Sequence, residues 1–111
     1  MLIEDEPLIR MDVEGLLHDF GYRVTAVANA DLAFEVLANQ KIDILLTDID
    51  IPGSMDGLGL AVTVRNRWPP GEIIIMSGKR RPNAEQLPTR ARFLAKPLNP
   101  SDLSKAMADW E

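Results

Sequence analysis

Ile42-Asp43-Ile44-Leu45-Leu46-Thr47-Asp48-Ile49-Asp50-Ile51-Pro52 is the stretch on which the rest of the chain depends. Ile42, Ile44, Leu45 and Leu46 make a short, nearly continuous apolar run, the pattern of a strand buried on both faces of a parallel sheet. The run stops on a carboxylate. Such a strand delivers Asp48 to the crevice at the carboxyl edge of the sheet, where open α/β folds bind ligands. Pro52 and Gly53 then turn the chain away. A lone Asp in that position would serve as a turn cap, but two other strand ends carry matching chemistry. Glu4-Asp5-Glu6 follows the apolar Met1-Leu2-Ile3, and Lys96 follows another apolar run just before Pro97. As neighbours, these three ends would join acids that hold a divalent cation to a cation that holds an anion.

Working outward, Met1-Leu2-Ile3 is shorter than a buried central strand should be, so residues are expected ahead of it. Ile9, Val13, Leu16, Leu17 and Phe20 recur at helical spacing, and Pro7 suits a first turn, which predicts a helix over 7–20 ended by Gly21. Residues 22–28 alternate as a strand does. Asn29 is positioned to cap a second helix whose Ala30, Ala33, Val36 and Leu37 face the sheet. From about Asp56, the spacing of Leu60, Ala61, Val64 and Trp68 predicts a third helix, stopped by Pro69-Pro70-Gly71. Residues 72–76 read as a fourth strand that delivers Ser77 to the same edge. Between Lys79 and Arg90 the pattern weakens, because Pro82 and Pro88 leave room for about one helical turn. Residues 92–95 read as a fifth strand, and Ser101 is expected to cap a last helix carrying Leu103, Ala106, Met107 and Trp110 on one face. Five strands alternating with helices imply an α/β fold, a single doubly wound parallel sheet with right-handed crossovers. Pattern alone does not fix the strand order.

The 111 residues fit one domain, 1–111, large enough for a single core. The composition, 46% apolar and 26% charged, is that of an ordinary soluble globule. Without cysteine there is neither a disulfide framework nor a thiolate metal site. No apolar segment approaches membrane-spanning length and no leader is visible, which gives the expectation of a cytoplasmic protein without membrane contact. A net charge of −5 argues against direct binding to nucleic acid.

Taken together, Glu4-Asp5 after the first strand, Asp48 with Ile-Asp-Ile-Pro-Gly after the third, Ser77-Gly78 after the fourth and Lys96-Pro97 after the fifth resemble the receiver domain of two-component response regulators. The resemblance covers essentially the whole chain. It implies a flavodoxin-like strand order 2-1-3-4-5. It makes Asp48 the acceptor of a phosphoryl group from a histidine kinase or a histidine phosphotransfer protein, in a Mg²⁺-dependent reaction that the domain itself catalyses, followed by slow autodephosphorylation. Asp5 and Asp48 would ligate Mg²⁺ directly, the main-chain carbonyl of Asp50 would join them, and Glu4 would act through water. Mg²⁺ selects hard oxygens and keeps several waters, so the donor set is chemically apt. Lys96 and the Ser77 hydroxyl would meet the phosphoryl oxygens, Gly78 would leave room for that approach, and Phe93 falls at the family's aromatic switch position. Three packed carboxylates would repel and raise their pKa values.

Two departures stand out. The fourth helix is short or degenerate, which puts in doubt the usual homodimer through that face. The chain also ends with its last helix, so no output domain is expected within it. The enzyme alternative is a haloacid-dehalogenase-like phosphatase using Asp48 and Asp50, although in that family the Asp-x-Asp strand comes first. A phosphorylation-independent receiver-like binding module is the third reading. Finally, residues 79–92 hold five basic residues against one acid, net +4, and are expected to form the surface for a downstream protein partner.

Overall fold

Consecutive apolar residues on the central strands feed opposite faces of the sheet, and this alternation builds two separate cores. The structure is a computed structural model that describes residues 1–68, 71–79 and 81–108. In chain order the elements are β1 (Leu2–Ile3), α1 (Pro7–Asp19), β2 (Ala26–Val27), α2 (Ala30–Asn39), β3 (Ile44–Asp48), α3 (Gly57–Arg67), β4 (Glu72–Ser77), a 3₁₀ turn (Ala84–Gln86), β5 (Ala91–Ala95) and α4 (Pro100–Ala108). All strand pairs are parallel, in the order β2-β1-β3-β4-β5. This is the flavodoxin-like order.

Ile3, Leu45, Ile73 and Ile75 pack beneath α2 and α3, against Ala33, Leu37, Leu60 and Val64. Leu2, Leu46, Ile74 and Met76 face the other way, onto Val13 and Leu17 of α1 and Leu103 and Met107 of α4. Each fully buried Leu or Ile contributes roughly 1.5–3 kcal/mol, so the sheet centre is the firmest part of the molecule. α1 ends as its sequence predicts: Gly21 has φ 90°, its N–H reaches the His18 carbonyl at 2.9 Å, and the Tyr22 N–H reaches that of Leu17 at 3.1 Å. Asn29 and Asp56 cap α2 and α3 by accepting from the N–H groups of Leu32 and Gly59, each at 2.9 Å.

Several local expectations are corrected. The second strand, expected over 22–28, is only Ala26–Val27, because its single neighbour β1 offers Leu2 and Ile3 as pairing partners and a ladder ends with its partner. Tyr22 and Val24 still pack against the α1–α4 core. Ser101 is not the last cap. Asn99 takes that role, its Oδ1 accepting from the Ser101 N–H at 2.7 Å, with Pro100 at the first helical position. The weak fourth helix reduces to the 3₁₀ turn at 84–86. Ile9 and Phe20, read as core, are 37% and 38% exposed at the ends of the α1 stripe. The expected roles of Pro69, Pro70 and Trp110, and the charge of Arg80, fall outside the described residues.

Candidate functional site

Because β1, β3, β4 and β5 are parallel neighbours, their carboxyl ends share one edge, and the residues that follow them meet there. Glu4 and Asp48 are buried, at 0% and 6% exposure, Ser77 is buried at 3%, and Asp5 is exposed. Lys96 ties the edge together. Its Nζ donates to Asp48 Oδ2 at 2.7 Å and to Glu4 Oε1 in a close ion pair, while its own N–H reaches the Ser77 carbonyl at 2.9 Å. The Asp50 N–H reaches Asp48 Oδ1 at 3.2 Å, and the Glu6 N–H reaches Glu4 Oε2 at 3.1 Å. The Ser77 hydroxyl accepts from the Lys79 N–H at 3.3 Å.

The electrostatics follow from burial. Desolvation raises the Glu4 pKa above its ordinary value, outweighing the hydrogen bond and charge of Lys96, with the charge of Asp48 adding a smaller push in the same direction. Repulsion among carboxylates, the expected cause, is thus secondary to burial. For Lys96, burial acts to lower the pKa, but the hydrogen bonds and charges of Asp48 and Glu4 together raise it. The ammonium is therefore held charged.

One carboxylate oxygen from each of Glu4, Asp5 and Asp48 lies within 4.8 Å of the others. This compact set of hard oxygens fits the chemistry of Mg²⁺, with Lys96 marking the side where an anion would be received. Gly78 lies against the Lys96 stem, where an added Cβ would stand 3.4 Å from Lys96 Cβ, an ordinary packing contact. Phe93 is half-buried beside Ile75, at the margin of the α2–α3 core, with the Arg81 guanidinium 5.1 Å from its ring centroid.

Sequence reasoning missed Gly57. A Cβ there would fall 1.9 Å from the Asp48 carbonyl oxygen, so the first turn of α3 rests directly on the main chain of Asp48. The Gly57 N–H also bonds the Ile49 carbonyl at 2.8 Å. The Asp-Gly pair at 56–57 was the available signal. Arg10 was missed as well, and its Nη1 holds the Glu4 carbonyl at 2.9 Å. Beside Lys96 a cleft of about 410 Å³ opens between α1 and Pro97-Leu98, lined by Ile9, Val13 and Leu16 among others.

The family model described as the response regulator receiver domain matches residues 1–108. A putative NtrX-like response regulator of Rickettsia bellii (strain RML369-C) is 34% identical over 79 residues, covering 70% of this chain and 16% of that protein. The DNA-binding transcriptional regulator NtrC of Escherichia coli (strain K12) is 37% identical over 76 residues, 68% of this chain and 16% of its own. The chain therefore spans less than a fifth of the length of these curated relatives. Among solved structures, a response regulator receiver protein from Sinorhizobium medicae WSM419 superimposes with a TM-score of 0.89 at 31% identity, over 97% of this chain and 89% of that one. A CheY-like receiver domain from Methanospirillum hungatei JF-1, with a TM-score of 0.85 at 24% identity, shares the fold. These matches do not favour the haloacid-dehalogenase-like alternative, and the Asp-x-Asp follows the third strand in the chain rather than the first.

Proposed function

The chain belongs to the response regulator receiver domain family of two-component systems, and from that premise we propose that Asp48 accepts a phosphoryl group from a histidine kinase or histidine phosphotransfer protein. The observation that carries the reading is Lys96 Nζ, held by both Asp48 and Glu4 beside the acidic cluster. A carboxylate oxygen of Asp48 attacks phosphorus as the bond to the donor's imidazole nitrogen breaks, and that nitrogen takes a proton from solvent as the imidazole leaves. Lys96 pairs with phosphoryl oxygens as charge spreads over them, and Ser77 offers its hydroxyl to one of them. Asp5, Asp48 and the Asp50 carbonyl would hold Mg²⁺, with Glu4 acting through water. Bound there, the cation supplies positive charge to the phosphoryl oxygens.

The donor approaches along the apolar cleft beside Lys96, lined on α1 by Ile9, Val13 and Leu16. Movement of Ser77 and Phe93 then alters the basic segment that joins them, and a downstream protein reads the change. The domain works as a signalling switch in the cytoplasm. Among the described residues no helix is long and apolar enough to cross a membrane. Incubation with acetyl phosphate and Mg²⁺, followed by intact-mass measurement, tests the reading. One acid-labile phosphoryl group per chain is expected, and none on Asp48→Asn. Full labelling of that variant would remove Asp48 from its role.

A further inference from the structure

The loop between β3 and α3 carries the Asp50 carbonyl, whose peptide N–H, on Ile51, bonds the Ile49 carbonyl at 3.2 Å. At the start, Ile49 and Ile51 are buried, and the Ile49 N–H bonds the Met76 carbonyl at 3.0 Å. At the end, Asp56 caps α3 and Gly57 bonds back to Ile49. Between them, the loop meets α2. Ser54 Oγ donates to Asp31 Oδ1 at 2.7 Å, and the Ser54 N–H reaches Asp31 Oδ2 at 3.4 Å. Gly53 takes φ 109°, and a Cβ there would stand 2.9 Å from Asp31 Oδ2 and 3.6 Å from Asn29 Cβ. The main chain thus passes edge-on to the carboxylate, in a conformation and a space that favour glycine. Asp31 sits in the first turn of α2, whose Ala30 and Ala33 are anchored in the core.

We infer that Asp31 is a positioning residue, which holds the far half of the 50–56 loop through Ser54 and so, together with the Ile51 N–H bond, limits the movement of the Asp50 carbonyl. The inference rests on the proposed reading of that carbonyl, with Asp5 and Asp48, as cation ligands. A main-chain carbonyl is aimed by the torsions of its loop, not by its own side chain, and Mg²⁺ demands near-ideal octahedral geometry. The loop's position is therefore expressed as cation affinity. Asp31 and Ser54 are both exposed, so their bond competes with water and its effect is graded.

The test uses the full chain with Ser54→Ala, Asp31→Ala, the double variant and Ser54→Thr. Mg²⁺ alone is titrated by calorimetry, and amide exchange across residues 50–56 is followed without metal. Each alanine variant is expected to weaken Mg²⁺ binding by about threefold to tenfold, below the usual range for groups that orient metal ligands because this bond is exposed. Ser54→Ala is the sharper arm, since it leaves the charge unaltered. Loop amides should exchange faster in both single variants, the double variant should be no weaker than either, and Ser54→Thr should restore binding. Phosphorylation at saturating Mg²⁺ should change by less than about twofold, because the acceptor and Lys96 are untouched. Unchanged affinity and exchange in the single variants, or losses that add in the double, would overturn the inference. If the wild-type chain binds no Mg²⁺, the metal-site reading falls and this inference with it. Wild-type binding with unaffected variants removes the latch alone.

Discussion

At Glu4 two effects oppose each other, since burial disfavours the carboxylate while the Lys96 ammonium favours it. Burial is the larger, and the folded pKa is raised above the ordinary 4.5. The fold then binds this proton more tightly than the unfolded chain does. Its contribution to stability is present below the ordinary value and is lost as pH rises through the raised one. In Mg²⁺-free buffer, Glu4→Gln should flatten that part of the stability profile, as read by urea unfolding at several pH values, and an unchanged slope would mean that Glu4 titrates normally. Lys96 is also raised, so its contribution is held below 10.5 and lost only as pH climbs through its higher folded value. Lys96→Met should cost ~3 kcal/mol at neutral pH, because it strands a buried carboxylate without its countercharge. Unfolding midpoints equal to wild type would show that Glu4 finds another partner. The sequence signalled these charges through their positions at strand ends. That Glu4 would be the most buried of them was not legible, because the depth of a side chain at a strand end depends on partners such as Lys96, which approaches it from 92 positions away.

Among the elements, α3 is fixed by two contacts that the hydrophobic pattern does not encode. Its first turn rests on the Asp48 carbonyl through Gly57. Gly57→Ala should destabilise by about 1–3 kcal/mol and shift Asp48, because α3 or β3 must yield. Equal stability in urea would mean the turn relaxes freely. Near the other end, Arg65 Nε donates to the Thr89 carbonyl at 2.7 Å and Nη1 to that of Gly71 at 2.6 Å, tying the approaches to β4 and β5. Beside it, Arg90 pairs with Glu72 and has φ 63°. A cap was legible where one candidate preceded a helix, as at Asn29. At the last helix Asn99 and Ser101 competed, and Pro100 decided, because its missing N–H and fixed φ suit the first helical position. Asn99→Ala should therefore cost about 1 kcal/mol and Ser101→Ala close to nothing, and the reverse order in thermal unfolding would restore Ser101 as the cap. Strand identity was legible from the apolar runs, but the length of β2 was not, since it is set by β1.

For the whole molecule, charge separates one region from the rest. The chain carries −5 overall, while the segment 79–92 is net +4. That segment links Ser77 to Phe93, contains one 3₁₀ turn, and is tied at its far end by Arg65. On adding a beryllium fluoride mimic of the phosphoryl group, amide protection should change between Gly78 and Phe93. Changes confined to α1 would place the reading surface elsewhere. An acidic partner should associate more slowly as salt rises, and a rate insensitive to salt would exclude steering by this segment. The pair of Lys96 with Glu4 has a further consequence, for it spans 92 positions of the chain, and its pair with Asp48 spans 48. Contacts of such long range form only when the intervening chain has been ordered. A nascent polypeptide still short of residue 96 has Asp48 but lacks the ammonium that completes its surroundings. Under the proposed function, competence to receive a phosphoryl group would be withheld until synthesis has passed the fifth strand, which would keep unfinished molecules silent.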